Sequence, residues 1–124
     1  MRWIVDGMNV IGARPDGWWR DRHAAMVTLV HTLETWASAE GVDVTVVFEQ
    51  PPCPPIESTV VTVAHAPAAA PNSADDEIVA VIRADEHPDD LVVVTSDRAL
   101  IERARSAGAT VMSPGRLRAQ LDVR

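Results

Sequence analysis

The sequence predicts an α/β fold, a three-layer α/β/α sandwich built around a mainly parallel sheet. Short apolar runs without polar alternation recur along the chain, as is typical of strands that are covered on both faces. Segments with apolar residues at helical spacing separate these runs, which indicates helices that cross over between parallel strands. The length of 124 residues suits one core, so we expect residues 1–124 to form a single domain.

Three strands and one long helix are predicted in the first half of the chain. The strands cover residues 3–5, 42–48 and 58–65, where apolar and β-branched residues predominate. An Asp-Gly pair after the first strand indicates a turn, and a run of prolines closes the second strand. The helix should begin after Asp21, whose side chain can cap free backbone N–H groups, and it should end at Gly41.

The second half of the chain alternates helix and strand. Ser73 and Asp76 match a capping-box pattern ahead of an apolar helical face, which predicts a helix that starts near Ala74. The pair His87-Pro88 ends this helix. The remaining predicted elements are a strand over 91–95, a helix over 98–107, a strand over 109–112 and a last helix with Pro114 at its first position.

Composition excludes several classes of function. The 11 basic residues are all arginine, and without lysine neither a Walker-type phosphate loop nor a Schiff base is available. The net charge of -7 argues against a broad basic surface for nucleic acid. The single cysteine, Cys53, excludes an internal disulfide and a cysteine-cluster zinc site.

No apolar run approaches the roughly 20 residues that a membrane-spanning helix needs. The first residues place an acid inside an apolar run and lack a small-residue cleavage site, so they do not resemble a secretory signal. We therefore expect a cytoplasmic protein that does not interact with membranes.

Three aspartates follow predicted strands at the point where each strand gives way to the next element. Asp6 ends the first strand, Asp75 opens the helix after the third, and Asp97 follows the strand over 91–95. The carboxyl ends of parallel strands meet at one edge of the sheet, where ligands bind near the reversal of strand order. Apolar residues three and four positions after Asp75 and Asp97 turn both carboxylates toward the sheet. We therefore expect the side chains of the three acids to lie close together.

Carboxylates crowded together need a cation, and this chain has no lysine to supply one. Oxygen ligands without a matching set of His or Cys favour Mg²⁺ or Mn²⁺ over zinc. Such a site activates water and stabilises a phosphoryl oxyanion. We predict that Asp6, Asp75 and Asp97 are catalytic and bind the metal, with Asp76 as a further ligand.

Each of these acids also has an ordinary structural explanation. An Asp in the first turn of a helix commonly caps free N–H groups, which would account for Asp75, Asp76 or Asp97 taken singly. Asp6 fits an Asp-Gly turn. Asn9 is expected to brace the loop beside the acids through side-chain hydrogen bonds, with direct ligation as the minority alternative.

Three motifs, DGMNVIG at residues 6–12, SADDEI at 73–78 and TSDR at 95–98, give the chain a resemblance to a known family. In their order, spacing and placement on the predicted elements they resemble the NYN family of PIN-like nucleases, and its YacP-like branch most closely. The resemblance covers nearly the whole chain. It implies a PIN-like fold, an acidic metal site and a divalent-metal-dependent (endo)ribonuclease activity on RNA.

By this resemblance the first motif carries Asp6 and Asn9, the second Asp75 and the third Asp97. The expected partner is RNA, and a homodimer or a ribosomal or RNA-processing partner is a further expectation. The chain departs from the family pattern with Glu49 in place of Asp, with Ser73 in place of Thr, and with Val79 where relatives often carry an acid. These changes leave the three main carboxylates intact and reduce the acids around them.

The segment between the first strand and the first long helix can contact substrate. Its two tryptophans could stack on bases or could cover the sheet, and its arginines could contact phosphate. Arg98 is expected either to contact phosphate or, slightly favoured, to form a salt bridge that steadies the acids. The residues predicted to bind substrate are Asn9, Trp18, Trp19, Arg20, Arg22, Ser96 and Arg98.

Two other phosphate-processing classes fit the sequence poorly. A phosphohydrolase that forms an aspartyl-phosphate has a second acid two residues after the first, where this chain has Met8. A receiver-type phosphorylation module needs a lysine late in the sheet. The alternative that remains is a catalytically inactive PIN-like module that binds RNA or another protein.

Overall fold

The computed structural model describes residues 1–14, 16–67 and 73–122. Within these ranges the strands are β1 (Arg2–Asp6), β2 (Asp43–Phe48), β3 (Thr62–His65), β4 (Leu91–Val94) and β5 (Thr110–Met112). The α-helices are α1 (Gly7–Gly12), α2 (Arg22–Glu40), α3 (Ser73–Ala84), α4 (Arg98–Ser106) and α5 (Pro114–Asp122). Short 3-10 turns lie at Trp18–Arg20 and Pro88–Asp90. None of the described helices is both long and apolar enough to cross a membrane.

The strands form one sheet in the order β3-β2-β1-β4-β5, and every neighbouring pair is parallel. The parallel sheet predicted from the apolar runs is therefore confirmed. The chain moves outward from β1 through β2 to β3 and then returns to place β4 on the other side of β1. The strand order thus reverses between β1 and β4, which is where α/β sheets open a crevice for ligands.

Helices cover both faces of the sheet. Trp3 and Val5 of β1 belong to a core cluster with residues of α1, α2 and α5, whereas Ile4 belongs to a second cluster with residues of α3 and α4. Successive side chains of a strand point to opposite faces, so β1 contributes to both clusters. All four residues of β4 are buried for the same reason. The predicted three-layer sandwich is confirmed.

Local capping signals correctly predicted both ends of α2 and the start of α5. The Asp21 side chain accepts a hydrogen bond from the Ala24 N–H at 3.0 Å, and Gly41 ends α2 in the left-handed conformation with φ of 66°. Ser113 Oγ accepts the Arg116 N–H at 3.2 Å at the start of α5. These caps act within one turn, so the sequence pattern contained all the information needed to place them.

The predicted third strand is too long. It was expected over 58–65, but β3 begins at Thr62. Ser58 Oγ accepts the N–H groups of Val60 and Val61 at 3.1 and 3.0 Å, which closes a turn where the strand was expected to run. The β-branched residues after Ser58 therefore lie in a turn at the edge of the sheet.

The prediction of an Asp-Gly turn after β1 is also wrong, because Gly7 is the first residue of α1. A Cβ atom on Gly7 would lie 2.5 Å from Cε1 and 2.7 Å from Cδ1 of Phe48, a contact that real Cβ atoms do not make. Glycine is required here because α1 starts directly against β2. A turn conformation is not the reason.

The capping box predicted at the start of α3 does not form. Ser73 is the first helical residue, and its buried Oγ has no hydrogen-bond partner among the described residues. Asp76, the other half of the pattern, instead pairs with Arg103 of α4 at 2.8 Å. The pairing between α3 and α4 is tertiary, which a local pattern does not report.

Replacing Gly7 with alanine tests the packing of α1 against β2. Gly7→Ala should lower the free energy of unfolding by about 1–3 kcal/mol, because Phe48 must move out of a filled core. Gly115→Ala in α5 is the matched control: its Cβ meets nothing within 4 Å, and it should raise stability by about 0.5–1 kcal/mol. Urea unfolding of both variants measures this, and equal effects would contradict the packing argument.

Candidate active site

An acidic cleft of about 220 Å³ opens at the carboxyl ends of the strands, at the reversal of strand order. It lies where β1 ends, beside the first turn of α3 and the loop that enters α4. The structure therefore brings together Asp6, Asp75 and Asp97, the three acids singled out from the sequence. The residues that line the cleft are Asp6, Met8, Asn9, Glu49, Ala74, Asp75 and Asp97.

Asp6 is the most buried of these acids, with 7% of its surface exposed. Its Oδ2 accepts a hydrogen bond from Thr95 Oγ1 at 2.9 Å. The pKa of Asp6 is raised to about 6, chiefly by burial. The Thr95 hydrogen bond acts in the opposite direction, and the negative charges of Asp75, Asp97 and Glu49 contribute to the rise. The cleft thus holds a carboxyl group that changes ionisation close to neutral pH.

Asp75 lies in the first turn of α3 and is half-buried. Burial is the main cause that raises its pKa, and the charge of Asp97 is the next, while Arg103 opposes the rise. Ionisation of Asp6 and of Asp75 is therefore less favourable in the folded protein than in water. An added cation would favour ionisation of both.

Asp97 caps α4 and lines the cleft as well. Its Oδ1 accepts the Leu100 N–H at 3.0 Å, as the ordinary capping explanation requires. Its Oδ2 has no hydrogen-bond partner among the described residues. Capping is therefore compatible with a place in the lining of the cleft, because the cap uses one oxygen of the carboxylate.

Asn9 braces the loop that leads into α4. Its Oδ1 accepts both the backbone N–H of Ser96, at 2.8 Å, and the Ser96 hydroxyl, at 2.7 Å. This is the bracing arrangement expected from the sequence, and it ties α1 to the residues just before Asp97. The oxygen of Asn9 and the hydroxyl of Ser96 are thereby occupied with each other.

Sequence reasoning missed Thr95. This residue is 1% exposed, and its Oγ1 both donates to Asp6 and accepts the Asp97 N–H at 3.1 Å. One hydroxyl therefore connects two acids of the cleft. The available signal was a polar residue that closes an otherwise apolar buried strand.

Glu49 was also missed as a site residue, since the sequence indicated it only as a departure from a family pattern. It follows β2 directly and lines the cleft beside Asp6. The rule that singled out the three aspartates, acids at the carboxyl ends of parallel strands, would have found it.

Several predicted site residues lie outside the cleft, Asp76 and Arg98 among them. The Asp76 side chain is 69% exposed, and its carboxylate is paired with Arg103. Arg98 is exposed and forms no ion pair with a described residue, so the salt bridge that was expected to steady the acids is not present there. Neither residue lines the cleft.

The two tryptophans differ in their surroundings. Trp18 is half-buried and packs against the core on the α2 side, whereas Trp19 is 53% exposed. Their rings meet edge to face with centroids 6.0 Å apart, and the Arg22 guanidinium lies 5.4 Å from the Trp18 ring centroid. Arg20 is exposed beside them. Trp18 therefore fits the alternative in which the tryptophans cover the sheet. Of the two, Trp19 is the one with an exposed aromatic ring.

Carboxylate oxygens dominate the donor set of the cleft, so Asp6, Asp75, Asp97 and Glu49 could hold a hard divalent cation. Within residues 1–14, 16–67 and 73–122, no three His, Cys, Asp or Glu side chains are grouped closely enough to enclose an ion. The described arrangement therefore offers a partial ligand set, and water would have to complete the coordination of a bound cation.

The fold and the cleft together define a PIN-like α/β domain with an acidic site at the reversal of strand order. The chain belongs to the YacP-like NYN domain family, whose model matches residues 3–124. This family membership suggests a ribonuclease. The resemblance inferred from the three motifs is confirmed.

Two solved structures share the fold. A mutant of Rae1 (YacP) from Bacillus subtilis is 23% identical, with a TM-score of 0.83 over 98% of this chain and 75% of that chain. A second structure of Rae1 (YacP) from the same organism gives the same identity and TM-score, over 99% and 74% of the two chains. No curated protein matches the chain significantly. At this identity the likeness establishes the fold.

The raised pKa of Asp6 should make stability depend on pH. Between about pH 4 and pH 6 the folded protein keeps a proton that the unfolded chain releases, since folding raises the pKa of Asp6 from 3.8 to about 6, chiefly through burial. Stability should therefore fall as pH rises through this window and then level off. In EDTA, Asp6→Asn should match the wild type near pH 4 and exceed it by about 1–3 kcal/mol at pH 7. Urea unfolding across this range measures the difference, and a gap that does not change with pH would contradict it.

Removing the Thr95 hydroxyl should affect both acids that it contacts. Thr95→Val keeps the shape but loses the donor to Asp6, so the pKa of Asp6 should rise further, and stability at neutral pH should fall by about 1–3 kcal/mol. Thr95→Ser keeps the hydroxyl and serves as the control, with the pKa of Asp6 near its wild-type value. Carboxyl carbon NMR titration reads the pKa, and an unchanged value in Thr95→Val would show that the hydrogen bond is unimportant.

Proposed function

We propose that this protein is a metal-dependent endoribonuclease that hydrolyses phosphodiester bonds of RNA with Mg²⁺ or Mn²⁺ in the acidic cleft. The observation that carries the proposal is the cleft itself, which gathers four carboxylates at the reversal of strand order in a member of the YacP-like NYN family. Burial, together with the neighbouring negative charges, raises the pKa of Asp6 and Asp75. A divalent cation would offset that effect.

Asp6 and Asp75 are the proposed principal ligands, with Asp97 and Glu49 completing the set directly or through water. Mg²⁺ keeps several waters and is commonly held by one or two carboxylates, which suits a partial ligand set. When bound, such a cation activates water and stabilises charge on the phosphoryl oxygens. Binding requires ionised Asp6, so in this proposal activity rises as pH increases through the pKa of that group.

The chain's own residues orient the ligands. Thr95 holds one oxygen of Asp6 and one backbone N–H at Asp97, so both acids keep a defined position. Asn9 fixes Ser96, the residue before Asp97, and so limits motion of the loop into α4. Ligands that are held in place before the cation binds lose less entropy on binding.

The negative net charge is compatible with RNA as substrate. In this proposal the cation, and not the overall field of the protein, compensates the charge of the phosphate at the cut. The exposed groups available for the rest of the RNA are Trp19, Arg20, Arg22 and Arg98, with stacking on Trp19 and phosphate contacts from the arginines.

A second candidate function is an inactive PIN-like module that binds RNA or a protein. It is favoured by the absence, among the described residues, of three acids close enough to enclose an ion. Metal binding separates the two candidates. A nuclease should be stabilised by Mn²⁺ through binding linkage, whereas an interaction module has no need for the ion.

Purified protein should cut labelled single-stranded RNA with Mn²⁺ and should leave it intact with EDTA. Asp6→Asn and Asp75→Asn should reduce the cleavage rate by at least about 100-fold, the order found when one group that stabilises transition-state charge is removed. Asp43→Asn is the matched control, because Asp43 is exposed at the opposite end of β2.

Asp76→Asn adds a sharper comparison, since Asp76 is next to Asp75 in sequence but pairs with Arg103 outside the cleft. It should cut at close to the wild-type rate. Equal cleavage with Mn²⁺ and with EDTA, or in the wild type and Asp6→Asn, would rule out the proposed site.

A further inference from the structure

A second pocket, of about 250 Å³, adjoins the acidic cleft. We propose that this base pocket receives one unpaired nucleobase of the RNA, next to the phosphate that lies over the acids. The base pocket is formed by Met8 after β1, the first turn of α2 with Arg22 and His23, and the residues that follow β2 from Glu49. The inference rests on the proposed function for its choice of ligand.

The base pocket and the acidic cleft share two walls. Met8 and Glu49 line both of them, so a ligand in one is adjacent to a ligand in the other. Both open at the carboxyl edge of the sheet, the pocket over β2 and the cleft over β1. A strand that places a phosphate over the acids can therefore place a neighbouring base in the pocket.

The interior of the base pocket suits the face of a planar ring. Met8 and Met26 are half-buried against the core, and Phe48, at 1% exposure, also lines the pocket. Thioether sulfurs contact aromatic rings favourably and adapt to their shape. Pro51 and Pro52 add rigid apolar surface on the side of the loop after β2. A bare phosphate would gain little from these walls.

The rim of the base pocket supplies groups for the polar edge of a base. His23 Nε2 lies 2.8 Å from the carbonyl oxygen of Pro54, which can only accept, so Nε2 carries a proton. Nδ1 of the neutral ring is then an acceptor. Gln50 offers both a donor and an acceptor, and Arg22 offers donors together with a positive charge. This mixture matches a nucleotide better than a purely apolar ligand.

Cys53 provides a direct reporter, because it is the chain's single cysteine, is exposed and lines the base pocket. In EDTA, millimolar concentrations of the four nucleoside 5′-monophosphates are the probes, and the rate of Cys53 alkylation is the readout. At least one nucleotide should slow the reaction. Ribose 5-phosphate and inorganic phosphate, which lack a base, should not.

Two histidine variants on α2 test whether the rim of the base pocket binds the nucleotide. His23→Ala should weaken protection by roughly 2- to 10-fold, as the loss of one hydrogen bond predicts. His31→Ala, two turns further along α2 and exposed, should leave protection unchanged. Thermal melting of both variants checks that the fold is retained.

Failure of this inference is separable from failure of the nuclease proposal. If no nucleotide protects Cys53, or if ribose 5-phosphate protects it equally, the base pocket is overturned whether or not the protein cuts RNA. If a nucleotide protects but RNA is not cut in Mn²⁺, the base pocket stands and the proposed nuclease fails.

Discussion

Burial of the Asp6 carboxylate at the end of the central strand is the constraint on which the site depends. β1 pairs with both β2 and β4, so its last residue lies between them and is almost fully enclosed. A buried carboxylate needs a partner, and the one hydrogen bond found for its side chain among the described residues comes from Thr95. The neighbouring acids make ionisation of Asp6 still less favourable, because they carry the same charge.

The parallel sheet also explains why a helix-capping acid lines the cleft. The parallel sheet delivers each following helix to the same edge, where the free N–H groups of its first turn favour an acid. Asp97 satisfies such a group with one oxygen and lines the cleft with its side chain. The helix start thus positions a carboxylate at little cost to the fold.

The same edge also brings apolar and acidic surfaces side by side. The prolines that stop β2 continue as the wall of the base pocket, and Glu49, between strand and prolines, belongs to both sites. A cation over the acids and a ring against the methionines would then engage two adjoining parts of one substrate. Recognition of this kind needs no broad basic surface, and the net charge of -7 argues against one.

The sequence by itself determined the layer architecture, the helix limits at Asp21 and Gly41, and the meeting of Asp6, Asp75 and Asp97. These features follow from apolar runs, caps within one turn and the geometry of parallel strands, all of which are local or topological. Only the tertiary structure decided that Gly7 starts a helix against Phe48, that Asp76 turns to Arg103, and that Thr95 joins two acids. The pairs Gly7 with Phe48, Asp76 with Arg103 and Thr95 with Asp6 are each far apart in the chain, and their energies depend on packing that no sequence window contains.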